Sequence, residues 1–291
     1  YLPMPDTTLR HYYLRLSTSG SLQIPLDVLS EKSFQRSNQR TEILHGLFIG
    51  AMLIMLCYNL FLFFSLKDVA YLAYSAFILS HVLLQTAYSG HLFQHVLGRF
   101  PAVANLAIPF LMAVIPITVI WFSLSFLNPA NLGRGLRRFL RALMVIGALL
   151  AAGVFYLPLR IGTSLAGMLI IVALVAAIIA GLNSWSNGNK AARFYLLAWV
   201  LLITGGLVTA FRNFGFLEPN FLTIHGVRIA AVVEVVLLAM SLADKYNIFR
   251  REKEETQLQM LKMQEEANRV LEQKVKERTR QLAETNDQLS D

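Results

Sequence analysis

Residues 227–256 read VRIAAVVEVVLLAMSLADKYNIFRREKEET, an apolar run that passes without proline or glycine into a run of charged residues. The apolar part, at about 227–248, has close to the roughly 20 residues that an α-helix needs to cross a hydrocarbon core. The charged part consists of strong helix formers, so the same helix should continue into water. The stretch therefore predicts a membrane-spanning helix that leaves the bilayer as a long polar helix.

Six more apolar runs of similar length precede this one. The predicted spans lie at about 43–66, 69–89, 103–127, 138–157, 164–184, 194–213 and 227–248. Hydrophobic residues make up 55% of the chain and charged residues only 15%, which excludes an ordinary soluble domain and a disordered chain. The predicted fold class is an all-α polytopic membrane protein with a seven-transmembrane helix bundle over residues 42–248.

The basic residues of the loops predict how the bundle is oriented. One side carries most of the loop lysines and arginines: Lys67, Arg134, Arg137, Arg138, Lys190, Arg193, Arg250, Arg251 and Lys253. Cytoplasmic loops carry an excess of Lys and Arg, so we expect the N-terminus outside and the C-terminus in the cytoplasm. The net charge of +8 is spread over loops and helix ends, which predicts contacts with membrane lipids and not with nucleic acid.

The N-terminal residues have a different pattern. Residues 11–27 alternate apolar and polar residues on both sides of Ser19-Gly20, as two strands joined by a turn would. Two strands do not form a stable domain alone, so we expect a β-hairpin that ends a larger β domain. Residues 1–41 are thus predicted to contain the end of that β domain, followed at 28–41 by a polar connector to the membrane.

The C-terminal residues 249–291 are predicted to form a long cytoplasmic coiled-coil helix. In one heptad register the a positions are Leu261, Asn268, Val275, Leu282 and Leu289. Among the d positions of the same register, Leu271 is apolar and the others are polar. A single asparagine at an a position sets register and oligomer state at a cost in stability. The pattern predicts a marginal parallel homodimer, and a solvated charged helix without a partner is the alternative.

Two long segments carry a resemblance to a known family. They are HGLFIGAMLIMLCYNLFLFFSLKDVAYLAYSAFILSHVLLQTAYSGHLFQ (45–94) and FRNFGFLEPNFLTIHGVRIAAVVEVVLLAMSLADKYNIFRREKE (211–254). In them the chain resembles the bacterial seven-transmembrane receptors with diverse intracellular signalling modules. YYLRLSTSGSLQIPLDVLS (12–30) is similar to the end of the periplasmic jelly-roll sensor of such receptors, and LEQKVKERTRQLAETNDQL (271–289) is similar to the linker before their output domain.

The resemblance implies a sensor in the bacterial inner membrane. It would couple a small-molecule ligand on the periplasmic side to a cytoplasmic histidine kinase or diguanylate cyclase. The chain contains no phosphoacceptor block and no cyclase loop motif, so we expect no enzyme within these residues, although the parent protein would carry one. A small-solute transporter or channel is the alternative function.

Glu234 is the main candidate for a functional residue inside the membrane. It lies within the last apolar run, where an ionised and unpaired carboxylate is costly. We expect it to be protonated or to be paired with one of the polar residues Asn59, His81, Gln85, Arg212 and Arg228. Its role would be an intramembrane switch, a structural polar clamp or proton transport.

Four histidines are predicted to gather at the outer ends of the spans: His45, His91, His95 and His225. The spacing of His91 and His95 would place both on one helix face, as in a metal site or a pH sensor. Scattered interfacial histidines are the simpler interpretation, and we expect no metal. Cys57 is expected to be a small buried hydrophobe.

No cofactor is expected. A retinal protein needs a lysine deep within a span, and Lys67, Lys190 and Lys245 all lie at span ends. A haem protein needs paired histidines at matching depth, and His81 has no evident partner.

Overall fold

The computed structural model describes residues 15, 30–99, 101–127, 132–213, 215–218 and 220–290. These residues contain no strand, and the predicted hairpin over 11–27 lies outside them apart from Arg15. The elements are α1 (Glu31–Leu66), α2 (Val69–Tyr88), a π-helical segment (Phe93–Leu97), α3 (Pro101–Phe126), α4 (Arg134–Gly153), α5 (Leu159–Ser186), α6 (Ala192–Asn213) and α7 (Phe221–Ser290).

Six of the α-helices in the described part of the chain are long and apolar enough to cross a membrane. The exception is α4, because its first eight residues include Arg134, Arg137, Arg138 and Arg141. The prediction placed this span at 138–157, whereas the helix ends at Gly153 and residues 154–156 form a turn.

Contacts at both ends of α4 show that it also runs from one end of the bundle to the other. Phe155, just after α4, packs against Phe110 in the first half of α3, with 5.9 Å between ring centroids. Ser184, near the end of α5, donates a hydrogen bond of 3.5 Å to the carbonyl of Leu127, just after α3. α3 and α5 therefore point the same way, and α4, at about 1.5 Å per residue, is about 30 Å long and returns between them.

The seven helices thus alternate in direction. We call the end of the bundle at which α1 enters the N face; it also holds the α2–α3, α4–α5 and α6–α7 connections. The opposite end, where α7 leaves the bundle, is the C face.

α1 begins earlier than the sequence indicated. The prediction made residues 28–41 a polar connector, but the helix starts at Glu31, and Ser30 caps it by accepting a 3.3 Å hydrogen bond from the backbone N–H of Ser33. Such a cap satisfies one of the free N–H groups of a first turn. At its other end α1 turns directly into α2, because only Lys67 and Asp68 separate the two helices.

An aromatic cluster forms the centre of the bundle. Tyr74 and Phe77 of α2, Phe122 and Phe126 of α3, and Tyr195 and Trp199 of α6 are all fully buried. Their rings stack or meet edge to face at centroid distances of 5.1 to 6.5 Å. Cys57 does not join the core: the prediction of a buried cysteine was wrong, since it is exposed on α1.

Glycines allow the closest helix contacts. A Cβ atom at Gly205 of α6 would stand 2.6 Å from the Cβ of Ala230 in α7, and one at Gly181 of α5 would stand 2.8 Å from the Tyr195 ring. Small residues bring membrane helices together in this way. The last predicted span and the polar helix after it are one element, because α7 runs for 70 residues without a break.

Candidate functional site

Polar contacts hold α7 at three levels of the bundle. Near the N face, Arg212 of α6 donates a 3.1 Å hydrogen bond to the carbonyl of Thr223. In the middle, the hydroxyl of Tyr74 in α2 donates a hydrogen bond to the α7 backbone beside the buried Glu234. At the C face, Asp244 and Lys245 form ion pairs with other helices. The helix that leaves the bundle is therefore also one whose polar groups contact several other helices.

Glu234 is fully buried, as its position in the apolar run predicted. Neither of its carboxyl oxygens has a hydrogen-bond partner in the described part of the chain. Its neighbour on α2 is Tyr74, whose hydroxyl donates a 2.5 Å hydrogen bond to the carbonyl of Val235, and the two side chains interact electrostatically. Burying an ionised carboxylate without a partner costs several kcal/mol, so this packing accommodates the neutral acid far better than the anion.

The structure does not bring the predicted arginine partners to Glu234. Arg212 is engaged with the backbone of α7 near the N face. Arg228 lies six positions before Glu234 on the same helix, a separation of about 9 Å along the axis and on a different face.

Of the other predicted partners, His81 and Asn59 are buried and Gln85 is half-buried, and none of them forms a hydrogen bond with Glu234 in the described part of the chain. His81 packs against Phe77 at 5.9 Å between rings, and its Nε2 has no hydrogen-bond partner among the described residues. Asn59 donates a 2.8 Å hydrogen bond from Nδ2 to the carbonyl of Met55 in its own helix. Glu234, His81 and Asn59 therefore lie on three helices, and no hydrogen bond joins them within the described residues.

The predicted histidine group is partly assembled at the N face. His45 and His91 pack with tilted rings and 4.5 Å between ring centroids, and Nε2 of His91 lies 3.2 Å from Oε2 of Glu42. His225 packs against Phe221 at the start of α7. The side chain of His95 lies outside the described part of the structure. Within that part, no three His, Cys, Asp or Glu side chains are placed to hold a metal ion.

At the C face, Lys245 joins α7 to two other helices. Its Nζ lies 3.3 Å from Oδ2 of Asp68 and 3.2 Å from the carbonyl of Ser125. The same ammonium group lies 5.8 Å from the centre of the Phe126 ring. Asp68 also caps α2, because Oδ1 accepts a 2.8 Å hydrogen bond from the backbone N–H of Ala70.

A second group of contacts joins α7 to the start of α6 at the same level. Nη2 of Arg193 lies 3.1 Å from Oδ2 of Asp244, and the hydroxyl of Ser241 donates a 2.8 Å hydrogen bond to the carbonyl of Ala191. We call Asp68, Arg193, Asp244 and Lys245 the C-face clasp. It surrounds α7 at the point where the helix leaves the bundle.

Sequence reasoning identified Glu234 but missed Tyr74 and the C-face clasp. Tyr74 and Val235 are 161 residues apart, and Asp68 and Lys245 are 177 apart. In the sequence, Asp68 and Lys245 both lie at ends of predicted spans on the same side of the membrane. No other feature of the sequence linked the two residues.

Beyond the clasp, α7 continues as a fully exposed helix. Leu261, Leu271 and Val275 are each more than half exposed, and Asn268 is exposed between them. The side chains of Leu282 and Leu289 lie outside the described part of the structure. The seam residues that are described are therefore available to a partner helix.

Comparison with known proteins gives one match. The sequence profile described as 7TM diverse intracellular signalling matches residues 41–245, more than half of the chain. The matched region begins within α1, includes α2 to α6, and ends within α7 at Lys245 of the clasp. No curated protein and no solved structure gives a significant match.

Proposed function

Because the chain belongs to the 7TM diverse intracellular signalling family, we propose that it is the membrane core of a receptor that passes a signal from the N face to an output module beyond α7. One observation carries this proposal: α7 is a single 70-residue helix that contacts other helices at three levels and then continues outside the bundle. A rigid helix with this path transmits a rotation or a shift of its membrane part to whatever follows.

The C-face clasp holds α7 only weakly at the point where it leaves the bundle. An exposed or half-exposed ion pair contributes about 0.2–1 kcal/mol, and both pairs of the clasp are partly exposed. Such contacts position α7 but do not lock it. A ligand that binds one helix packing better than the other then shifts the equilibrium by its difference in affinity.

Glu234 is the proposed intramembrane switch residue. Its buried carboxyl group lies next to Tyr74, which bonds to the α7 backbone. Gaining or losing a partner at this position would change the packing of α7 against α2. The structural polar clamp remains the simpler role for the same residue.

We propose that the N face is periplasmic and that the C face is cytoplasmic in a bacterial inner membrane. The larger number of loop lysines and arginines at the C face supports this orientation. The residues before α1 would end a periplasmic sensor domain that binds a small molecule. A histidine kinase or diguanylate cyclase would follow α7, and two chains would pair along its exposed seam.

Disulfide trapping tests the pairing in the full-length receptor in its membrane. In a Cys57→Ala background, Val275→Cys at an a position should form an inter-chain disulfide. Gln273→Cys, on the opposite face of the same helical turn, is the matched control. Equal trapping at both positions would show that the seam does not pair.

Insertions into α7 test the transmission. Three alanines placed after Thr256 rotate the following helix by about 300°, whereas seven residues preserve the heptad phase. We expect three alanines to change the output of the parent protein more than a seven-residue insertion does. If neither insertion changes the output, the proposal is contradicted. A solute flux through the purified chain in vesicles would support the transporter alternative.

A further inference from the structure

Four basic side chains from α1, α6 and α7 gather at the N face. We call Arg40, Arg212, His225 and Arg228 the N-face cluster. The His225 ring lies within the electrostatic reach of all three guanidinium groups. α6 and α7 are consecutive helices, whereas Arg40 comes from α1, so local composition alone does not explain the cluster.

The aromatic ring of Phe221 connects part of this cluster. The Cζ atom of Arg40 stands 5.6 Å from the centre of the Phe221 ring, and the His225 ring lies 5.0 Å from the same ring. Arg212 is held nearby through its hydrogen bond to the carbonyl of Thr223. Arg40, Arg212 and His225 are therefore held in place by contacts with neighbouring residues.

Arg228 is the least compensated member of the N-face cluster. It is half-buried, and it makes no hydrogen bond or ion pair with a residue that the structure describes. Of the acids at this face, Glu42 lies 3.2 Å from His91, and Glu218 is exposed in the loop before α7. A partly buried guanidinium beside like charges is unfavourable unless an anion joins it.

His45 borders the cluster on its buried side. It is only 3% exposed and lies within the electrostatic reach of Arg228. Its Nε2 lies 3.0 Å from the hydroxyl of Ser89, and its Nδ1 has no hydrogen-bond partner among the described residues. This nitrogen is enclosed by the surrounding residues, so His45 contributes no contact to a ligand in this packing.

We propose that the N-face cluster binds a phosphate group. Guanidinium groups bind phosphate through paired, charge-assisted hydrogen bonds, and three of them supply more positive charge than one carboxylate ligand would balance. The headgroup of an anionic phospholipid and a soluble phosphate both present this chemistry at the end of a membrane helix bundle. The proposal does not rest on the receptor function, because binding is measurable without any output.

The test uses the full chain purified in detergent and measures dissociation constants by thermal-shift titration. The probes are inorganic phosphate against sodium chloride at equal ionic strength, and phosphatidylglycerol against phosphatidylcholine. Arg228→Gln should weaken binding of the effective probe about tenfold, the loss expected for one charge-assisted contact. Arg160→Gln is the matched control, since Arg160 is an exposed arginine at the same face on α5.

The outcomes separate the two sources of phosphate. Binding of phosphatidylglycerol alone identifies a lipid headgroup site, and binding of inorganic phosphate identifies a site for a soluble ligand. If Arg228→Gln does not fold, Arg40→Gln replaces it, because Arg40 is exposed and its loss leaves no cavity. The proposal is overturned if neither probe binds, or if the cluster variants bind as tightly as Arg160→Gln.

Discussion

Gly205 and Gly206 are adjacent residues of α6 that face different surroundings. A Cβ atom at Gly205 would lie 2.6 Å from the Cβ of Ala230 and 3.1 Å from the carbonyl oxygen of Gly226, both in α7. A Cβ atom at Gly206 would meet nothing within 4 Å. The pair therefore allows one methyl group to be added either inside or outside the α6–α7 contact.

The expected effect follows from these distances. Non-bonded carbon atoms approach to about 3.5–4.0 Å, so Gly205→Ala must separate α6 and α7 by roughly 1 Å. Overpacking of this kind costs about 1–3 kcal/mol. The gain in helix propensity, up to about 1 kcal/mol for Gly→Ala, is common to both variants and cancels in their difference. We expect Gly205→Ala to be less stable than Gly206→Ala by about 1–3 kcal/mol.

A denaturant titration of the purified chain in mixed micelles measures this difference. Helix content followed by circular dichroism gives the free energy of unfolding of both variants under identical conditions. In the full-length receptor, Gly205→Ala should also change basal output, because it displaces the helix that leads to the output module. Gly206→Ala should leave basal output unchanged.

One result would refute the reasoning. If Gly205→Ala is as stable as Gly206→Ala, then α6 and α7 do not approach each other as closely as the structure shows. Equal stability combined with altered output would separate the two claims, since it would leave the role of α7 intact while rejecting the packing argument.

Three other perturbations test the contacts of α7. A double-mutant cycle of Asp68→Asn and Lys245→Met should give a coupling free energy of about 0.2–1 kcal/mol in unfolding titrations; strictly additive effects would mean that the pair contributes nothing. Tyr74→Phe removes the hydrogen bond to the α7 backbone and should lower the free energy of unfolding by about 1 kcal/mol. Tyr156→Phe is its control, at a residue that is 91% exposed, and equal losses would dismiss the bond. Glu234→Gln keeps the shape of the neutral acid and removes its ionisation, so it should alter basal output with normal folding; unchanged output would exclude the switch.

Much of the fold was predictable because each span depends on its own composition. The tight turn at Lys67-Asp68 and the uninterrupted passage from bundle to polar helix follow from local sequence, and both are present in the structure. α4 is less apolar than the other helices, because four arginines lie in its first eight residues. Its path became clear only from the packing of Phe155 and Ser184 at opposite ends of the bundle.

The candidate site was predictable only in part. The burial of Glu234 followed from its apolar neighbours, but the choice among its partners did not, and the structure places Tyr74 beside it. Asp68 and Lys245 were visible as charges at span ends, and their pairing required the helices to be arranged. A pairing of this kind has no periodic signal when 177 residues separate its members.

The amino-acid sequence by itself therefore determined that this is a membrane protein, where most of its apolar helices lie and that the last of them continues beyond the bundle. The physical reason is that the transfer of an apolar helix into hydrocarbon depends on residues within about 20 positions of one another. Tertiary structure alone decided which polar groups meet at the C-face clasp, that Glu234 lacks an ionic partner and that basic residues gather at the N face. Those outcomes depend on helix rotation and neighbour choice, which small residues such as Gly205 control through packing between segments that are distant along the chain.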